Sequence, residues 1–213
     1  VYTAHHDHFG QRSEPGHPPV IYNGAVDNAS GVAMLLALAQ AARALPKAPQ
    51  RSLDFAAVAA EEQGLLGSAH LAAHLPLPSG RIAANVNIDG LNLLGRTRDV
   101  VAIGQGKSSL DDYVTALARM QGRAVVPDPF PDRGSYYRSD QFSFARVGIP
   151  GAYVKSGTDV IGKPAGWGRQ QREQFENADY HQPSDDVRDD WDYSGALEDG
   201  QLMFYLGLKV ANS

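Results

Sequence analysis

The sequence predicts an α/β domain built on a largely parallel sheet. Two observations carry this. Short apolar segments of strand character alternate with longer Ala- and Leu-rich segments of helical character. His5, Glu61, Glu62 and Asp89 also fall just past the C-terminal ends of expected strands, the edge where open α/β sheets bind ligands. With 213 residues there is material for one substantial core, so residues 1–213 are read as a single domain.

The elements follow in order. Residues 1–4 form the first expected strand, which runs into His5-His6-Asp7-His8. A loop comes next, punctuated by Pro15, Gly16, Pro18 and Pro19. Residues 30–45 read as a helix stopped by Pro46, and residues 52–59 as an apolar strand leading into Glu61-Glu62. A second helix spans 65–74 and is closed by Pro76; a strand over 83–88 delivers Asp89-Gly90. Another strand covers 100–103. The helix over 110–120 has Ser109 as its expected N-cap, with Asp111 and Asp112 in the first turn, where carboxylates suit the helix dipole. Residues 139–146 read as helix and 151–154 as strand. The polar stretch 156–190 reads as a long loop, a length uncommon without a function, and 194–211 is the closing helix.

Composition removes several function classes. The net charge of -5 gives a nucleic acid no electrostatic foothold, and no Lys/Arg cluster favours an anionic membrane surface. The longest apolar runs, such as residues 32–39, are too short to cross a bilayer. The chain has no cysteine, so disulfides, thiolate ligands and a Cys nucleophile are all excluded. Any metal site must be made from His, Asp and Glu. Val1 opens directly into a strand with no signal peptide before it, and the natural protein is expected to extend further toward the N-terminus.

Each chemical candidate has a plain alternative. His5 and Asp7 stand two apart at a strand end, where a carboxylate can fix a ligand His, or both can be solvated loop residues. Asp27 precedes a helix among small residues that allow close approach of another group; Asn28 or Ser30 could equally be capping that helix. The adjacent Glu61 and Glu62 repel unless a cation or proton compensates, and could divide metal binding and proton transfer between them. Alternatively they open a helix as a solvated pair. Asp89 reads alone as a turn residue and His181 as an exposed loop residue. Together these positions offer two His and three carboxylates with a spare Glu, a good ligand set for two zinc ions bridged by a carboxylate. Such ions stand about 3.5–4 Å apart.

The segments Ala4-His5-His6-Asp7-His8, Asn23-Gly24-Ala25-Val26-Asp27-Asn28-Ala29-Ser30-Gly31 and Ala60-Glu61-Glu62-Gln63-Gly64-Leu65-Leu66-Gly67-Ser68 carry a resemblance. So do Asn87-Ile88-Asp89, Arg138-Ser139-Asp140-Gln141-Phe142, Gly148-Ile149-Pro150 and Tyr180-His181-Gln182-Pro183-Ser184-Asp185. In this order they resemble the di-zinc aminopeptidases and carboxypeptidases related to aminopeptidase Y, bacterial leucyl aminopeptidase and glutamate carboxypeptidase. The resemblance covers nearly the whole chain. It implies a three-layer α/β/α sandwich with a central, mostly parallel mixed sheet.

It also implies roles. His5 and Asp89 would bind one zinc, Glu62 and His181 the other, with Asp27 bridging the two ahead of a cis peptide bond to Asn28. Glu61 would be the general acid/base, and Asp7 would orient His5, with Asp185 as a further supporting carboxylate. Tyr180 would donate to the oxyanion or simply pack under its loop. Arg138 would lie near substrate, or pair with Asp140. His6 and His8 are expected at the pocket wall or surface, and Gln141 stands where many relatives carry a His. The implied activity is hydrolysis of terminal peptide bonds, as an aminopeptidase before a carboxypeptidase, on peptide substrates, with a periplasmic or secreted location. Relatives usually carry strands before the first His motif, and many an inserted protease-associated domain. Lacking these, the core is expected to expose a sheet edge and to form a homodimer through it. Two other activities compete: a single-zinc glutaminyl cyclase, which shares the architecture, and a non-catalytic binding module.

Overall fold

The computed structural model describes residues 1–213. The chain begins with β1 (Tyr2–His5), a small antiparallel hairpin of β2 (Gly10–Arg12) and β3 (Val20–Tyr22), and α1 (Ser30–Arg43). Next come β4 (Phe55–Val58), α2 (Leu66–Ala73), β5 (Asn85–Asn87), β6 (Asp99–Ile103), α3 (Leu110–Met120) and β7 (Ala124–Val126). The last elements are α4 (Gln141–Arg146), β8 (Gly151–Ser156), α5 (Trp167–Ala178) and α6 (Ser194–Ala211).

Six strands form one sheet in the order β4-β1-β5-β8-β6-β7. The first four run parallel, β6 runs antiparallel to β8, and β7 is parallel to β6. The expected mixed, mostly parallel sheet is therefore present. Strand β1 lies inside it, so its free edges are β4 and β7. Pairing between copies through an edge would have to use one of these, not the first strand.

Side chains alternate across each strand and divide the molecule into layers. On one face Tyr2, Ala4, Val86, Val100 and Val154 pack with Met34, Leu35 and Leu38 of α1, Val114 of α3, and Leu202, Met203 and Leu206 of α6. On the other face α2 and α4 close over the sheet around Ala72, Phe144 and Ile149. The segment Ala25–Arg43 has a mean hydropathy of 1.3 and the length of a membrane span, yet it supplies one of the main helices of this core. Helix α6 approaches β1 closely. The buried Tyr2 hydroxyl donates to Met203 O at 3.1 Å, and a Cβ on Gly207 would fall 1.9 Å from that hydroxyl. Only glycine leaves room for this contact.

The second face of the central strands is polar and fully buried. Thr3 Oγ1 donates to Asn87 Oδ1 at 2.7 Å, Asn85 Nδ2 to Thr3 Oγ1 at 3.0 Å, and Asn87 Nδ2 to Ser139 Oγ at 2.8 Å. Buried polar groups are tolerated when they satisfy one another like this. This seam leads from the middle of the sheet to its C-terminal edge.

A buried ion pair ties the far side together. Arg123 donates to Asp199 Oδ1 at 2.6 Å, to Thr97 Oγ1 at 2.8 Å and to Asp99 O at 2.9 Å, joining α6 to the β6 end of the sheet. Removing one partner strands the other charge in the interior. Arg123→Ala is expected to lower unfolding stability by about 3–5 kcal/mol in urea denaturation. A loss under about 1 kcal/mol would show that the pair is dispensable.

Four features depart from expectation. Helix α5 lies inside the stretch read as loop, because its polar sequence, with Trp167 and Phe175 among charged residues, shows no readable apolar stripe. The β2–β3 hairpin and β7 are strands of three residues each, too short to show a period. At α3, Ser109 makes no capping bond; the Leu110 N–H is met instead by Ser108 Oγ at 3.3 Å.

Candidate metal centre

The site forms where parallel strands end together. Strand β1 closes on His5, β4 leads through Ala60 to Glu61 and Glu62, and β5 leads to Asp89. Ala60 (φ 56°) and His181 (φ 61°) both hold the left-handed conformation, which costs a non-glycine residue about 1–3 kcal/mol and persists where surroundings enforce it.

Asp27 stands at the centre. Its Oδ1 is 3.2 Å from His5 Nε2, which is also 3.8 Å from Asp89 Oδ1. Its Oδ2 is 3.3 Å from His181 Nε2, and that nitrogen is 3.1 Å from Glu62 Oε2. One carboxylate therefore faces two His–carboxylate pairs, His5 with Asp89 and His181 with Glu62. The five residues the sequence singled out as ligands come together here; Glu61 clusters with His5 and Glu62, and His8 with Asp27 and Glu62.

The turn before α1 presents Asp27, and its neighbours hold it. The Asp27–Asn28 peptide bond is cis, as the resemblance implies. Asp185 accepts from the N–H groups of Val26 (2.9 Å) and Asp27 (3.0 Å), pinning the backbone from which Asp27 projects. Asn28 donates to Ile88 O at 2.9 Å, and its Oδ1 accepts from Gly31 N and Gly90 N, each at 3.0 Å. Asn28 thus covers an open N–H at the start of α1 and ties the Asp27 turn to the Asp89 turn. A Cβ at position 31 would fall 2.1 Å from Asn28 Oδ1, so the approach needs glycine.

Support for the other ligands is equally local. Ser139 Oγ donates to Asp89 Oδ2, passing on the buried Asn87 seam. His5 Nδ1–H donates to the Asp7 carbonyl at 3.1 Å, while the Asp7 carboxylate is 3.9 Å away. Asp7 is placed to orient His5, but its backbone oxygen is the nearer acceptor. Its carboxylate faces the Glu61 N–H at 3.4 Å.

His8, expected at the pocket wall or surface, lies 2.7 Å through Nδ1 from Glu62 Oε1. It sits three residues past His5 on the same chain segment, the one signal that could have drawn attention to it. His6 is exposed. Gln141 is buried and structural, donating to Tyr136 O at 2.8 Å. Asp140 is also buried, and burial pushes its carboxyl up to about 6. Arg138 is exposed and forms no ion pair with it, so the expected pairing fails. Tyr180 stacks on His181 with ring centroids 3.7 Å apart and lines the cavity next to Asp27 and Asp89.

The electrostatics fit a cation. Burial would lower the His5 imidazole, but the Asp27 and Asp89 carboxylates push it up to about 12. Against burial, His181 and His5 hold the Asp27 carboxyl well below the usual range, and His5 and Lys155 lower Asp89. Burial and the Asp89 carboxylate push Glu61 up to about 9. The donor set suits the same conclusion. His5 Nε2 and His181 Nε2 are buried with no hydrogen-bond partner, and both point at carboxylate oxygens. Two imidazole nitrogens with three carboxylates and no thiolate make borderline-hard chemistry, suited to divalent transition ions.

The chain resembles aminopeptidase YwaD of Bacillus subtilis (strain 168), with 30% identity over 190 residues, 87% of this chain and 35% of that protein. Its fold matches the solved structure of BSAP, a zinc aminopeptidase from Bacillus subtilis (TM-score 0.67, 22% identity, 98% of this chain and 45% of that one). It also matches Porphyromonas gingivalis glutaminyl cyclase (TM-score 0.56, 15% identity, 98% and 71%). The chain therefore spans less than half the length of these two aminopeptidases. The profile of peptidase family M28 matches residues 1–205, nearly the whole length, and the chain belongs to that family.

Proposed function

We propose that residues 1–213 form one catalytic domain of a zinc-dependent exopeptidase that removes residues from the amino end of peptides. The observation that carries this is the two-sided Asp27, with His5 on one carboxylate oxygen and His181 on the other, each His also facing a second carboxylate, Asp89 or Glu62. Family membership and the aminopeptidase names of YwaD and BSAP support it.

His5 and Asp89 would hold one ion, His181 and Glu62 a second, and Asp27 both. Zinc bound there would polarise the scissile carbonyl and lower the pKa of a water. Glu61, beside Glu62 but outside the ligand pairs, takes the proton of the attacking water and delivers it to the leaving amine. Its backbone N–H faces the Asp7 carboxylate at 3.4 Å, which helps to fix the backbone from which Glu61 projects. Tyr180, held flat against His181, donates to the oxyanion as the carbonyl oxygen gains charge. His8, bonded to Glu62, fixes that ligand's orientation as a neighbouring group does for a metal-bound carboxylate.

The test is an aminoacyl-4-nitroanilide assay on zinc-loaded protein. Hydrolysis is expected, lost on chelation and restored by zinc. Hydrolysis that persists in excess chelator contradicts the metal-dependent mechanism, and protein that binds zinc yet cleaves no anilide contradicts the activity.

A further inference from the structure

A cavity of 180 Å³ opens beside the metal centre, with Asp27 and Asp89 in its wall. It is smaller than the usual small-molecule pocket of about 300–1,000 Å³, and suits a single side chain or terminal group. Four cationic side chains line it: Arg133, Arg138, Lys155 and Arg172. Beyond the two ligand carboxylates it contains one acid, Glu176, and that acid pairs with Arg133.

The other three cations form no ion pair. Arg138 is exposed at the rim. Arg172 donates to the Ser156 carbonyl at 2.8 Å, which positions its guanidinium without neutralising it. The Lys155 ammonium sits 5.1 Å from the centre of the Tyr153 ring and pairs with no carboxylate, although its charge reaches Asp89. Three like charges around a small, half-enclosed space repel one another, and an apolar side chain entering it would desolvate them with no return. A carboxylate would meet all three, and arginine in particular recognises it through paired N–H donors.

We propose that this cavity is a specificity subsite for a carboxylate carried by a residue flanking the scissile bond, read by Arg138, Lys155 and Arg172. The proposal rests on the exopeptidase reading for the identity of the bond, but not for the charge of the pocket. Two substrates present the same group: an acidic side chain before the bond, and a terminal carboxylate after it.

The test compares glutamyl- and leucyl-4-nitroanilide on zinc-loaded protein, together with calorimetric binding of free L-glutamate and L-leucine. Both amino acids bring the same amine and α-carboxylate, so their difference reports the side chain. Glutamate is expected to bind about tenfold more tightly than leucine, with the advantage shrinking in salt, and kcat/KM should follow. Arg138→Glu, at an exposed position without side-chain partners, should abolish the preference, and Lys155→Met should reduce it. Benzoyl-glycyl-leucine, with a terminal carboxylate but neither acidic side chain nor free amine, separates the sources; its faster cleavage assigns the subsite to the terminal group. Preferred glutamate binding without any hydrolysis supports the subsite and sinks the exopeptidase reading. Leucine bound as well as glutamate, with leucyl-anilide turned over at least as fast as the glutamyl compound and benzoyl-glycyl-leucine left uncut, overturns the subsite and leaves the exopeptidase reading standing.

Discussion

Replacing Glu61 with Gln is expected to leave zinc content unchanged and to lower kcat by about 10²–10⁴-fold, the contribution typical of a positioned general base. The amide keeps the size and can still accept a hydrogen bond, so the pocket should not collapse. It cannot take a proton from water. Glu61 lies outside the two ligand pairs, whose shortest contacts run through Asp27, His5, His181 and Glu62. A loss confined to kcat with KM and metal content preserved is therefore the signature of a proton carrier. Parallel loss of zinc would instead make Glu61 a ligand, and full turnover would remove it from the mechanism. Steady-state kinetics with elemental analysis of the same preparation distinguishes the three outcomes.

Asp27→Ala is expected to abolish activity and to weaken zinc binding at both positions together. Its two oxygens each face a different His, at 3.2 and 3.3 Å, so this one side chain joins both pairs. The methyl group also leaves His5 Nε2 and His181 Nε2 facing the remaining carboxylates without the bridge. Asp185→Asn is the milder companion. Asp185 touches no ligand atom and acts by accepting the Val26 and Asp27 N–H groups. Removing such support typically costs about 10–100-fold in metal affinity or activity. Competition with a chromophoric chelator reads both variants, and circular dichroism confirms that each is folded. Loss of one zinc equivalent only from Asp27→Ala, with the other retained at wild-type affinity, contradicts a shared ligand.

Three of the five candidate ligands were legible in the sequence from residue type and position at a strand end. His5, Glu62 and Asp89 follow apolar segments whose pattern is easily read, and parallel strands bring those ends to one edge. His181 and Asp27 come from segments without such a pattern, and the family resemblance supplied their partners. What supports the ligands was not legible. Ser139 donates directly to Asp89 and is itself held by a seam of Thr3, Asn85 and Asn87, residues that read individually as unremarkable strand positions. The contribution of Asp7 to His5 runs through a carbonyl, which has no sequence signature. His8 reaches Glu62 through the path of the chain after β1, and its spacing from His5 was the only signal for it. Arg138 and Asp140 stand two apart and seemed able to pair, but the chain turns one outward and buries the other. The wall of the cavity comes partly from α5, a helix too polar to announce itself, which is why the charge of the subsite became visible only in three dimensions.

The most direct test of the central claim is the zinc stoichiometry of dialysed, zinc-loaded protein, measured beside its activity on aminoacyl-anilides. Two zinc ions per chain are predicted, with hydrolysis rising as the second is filled. A single tightly held zinc per chain, with cyclisation of amino-terminal glutamine and no anilide hydrolysis, would contradict the shared Asp27 site and place the chain with the glutaminyl cyclase fold it also resembles.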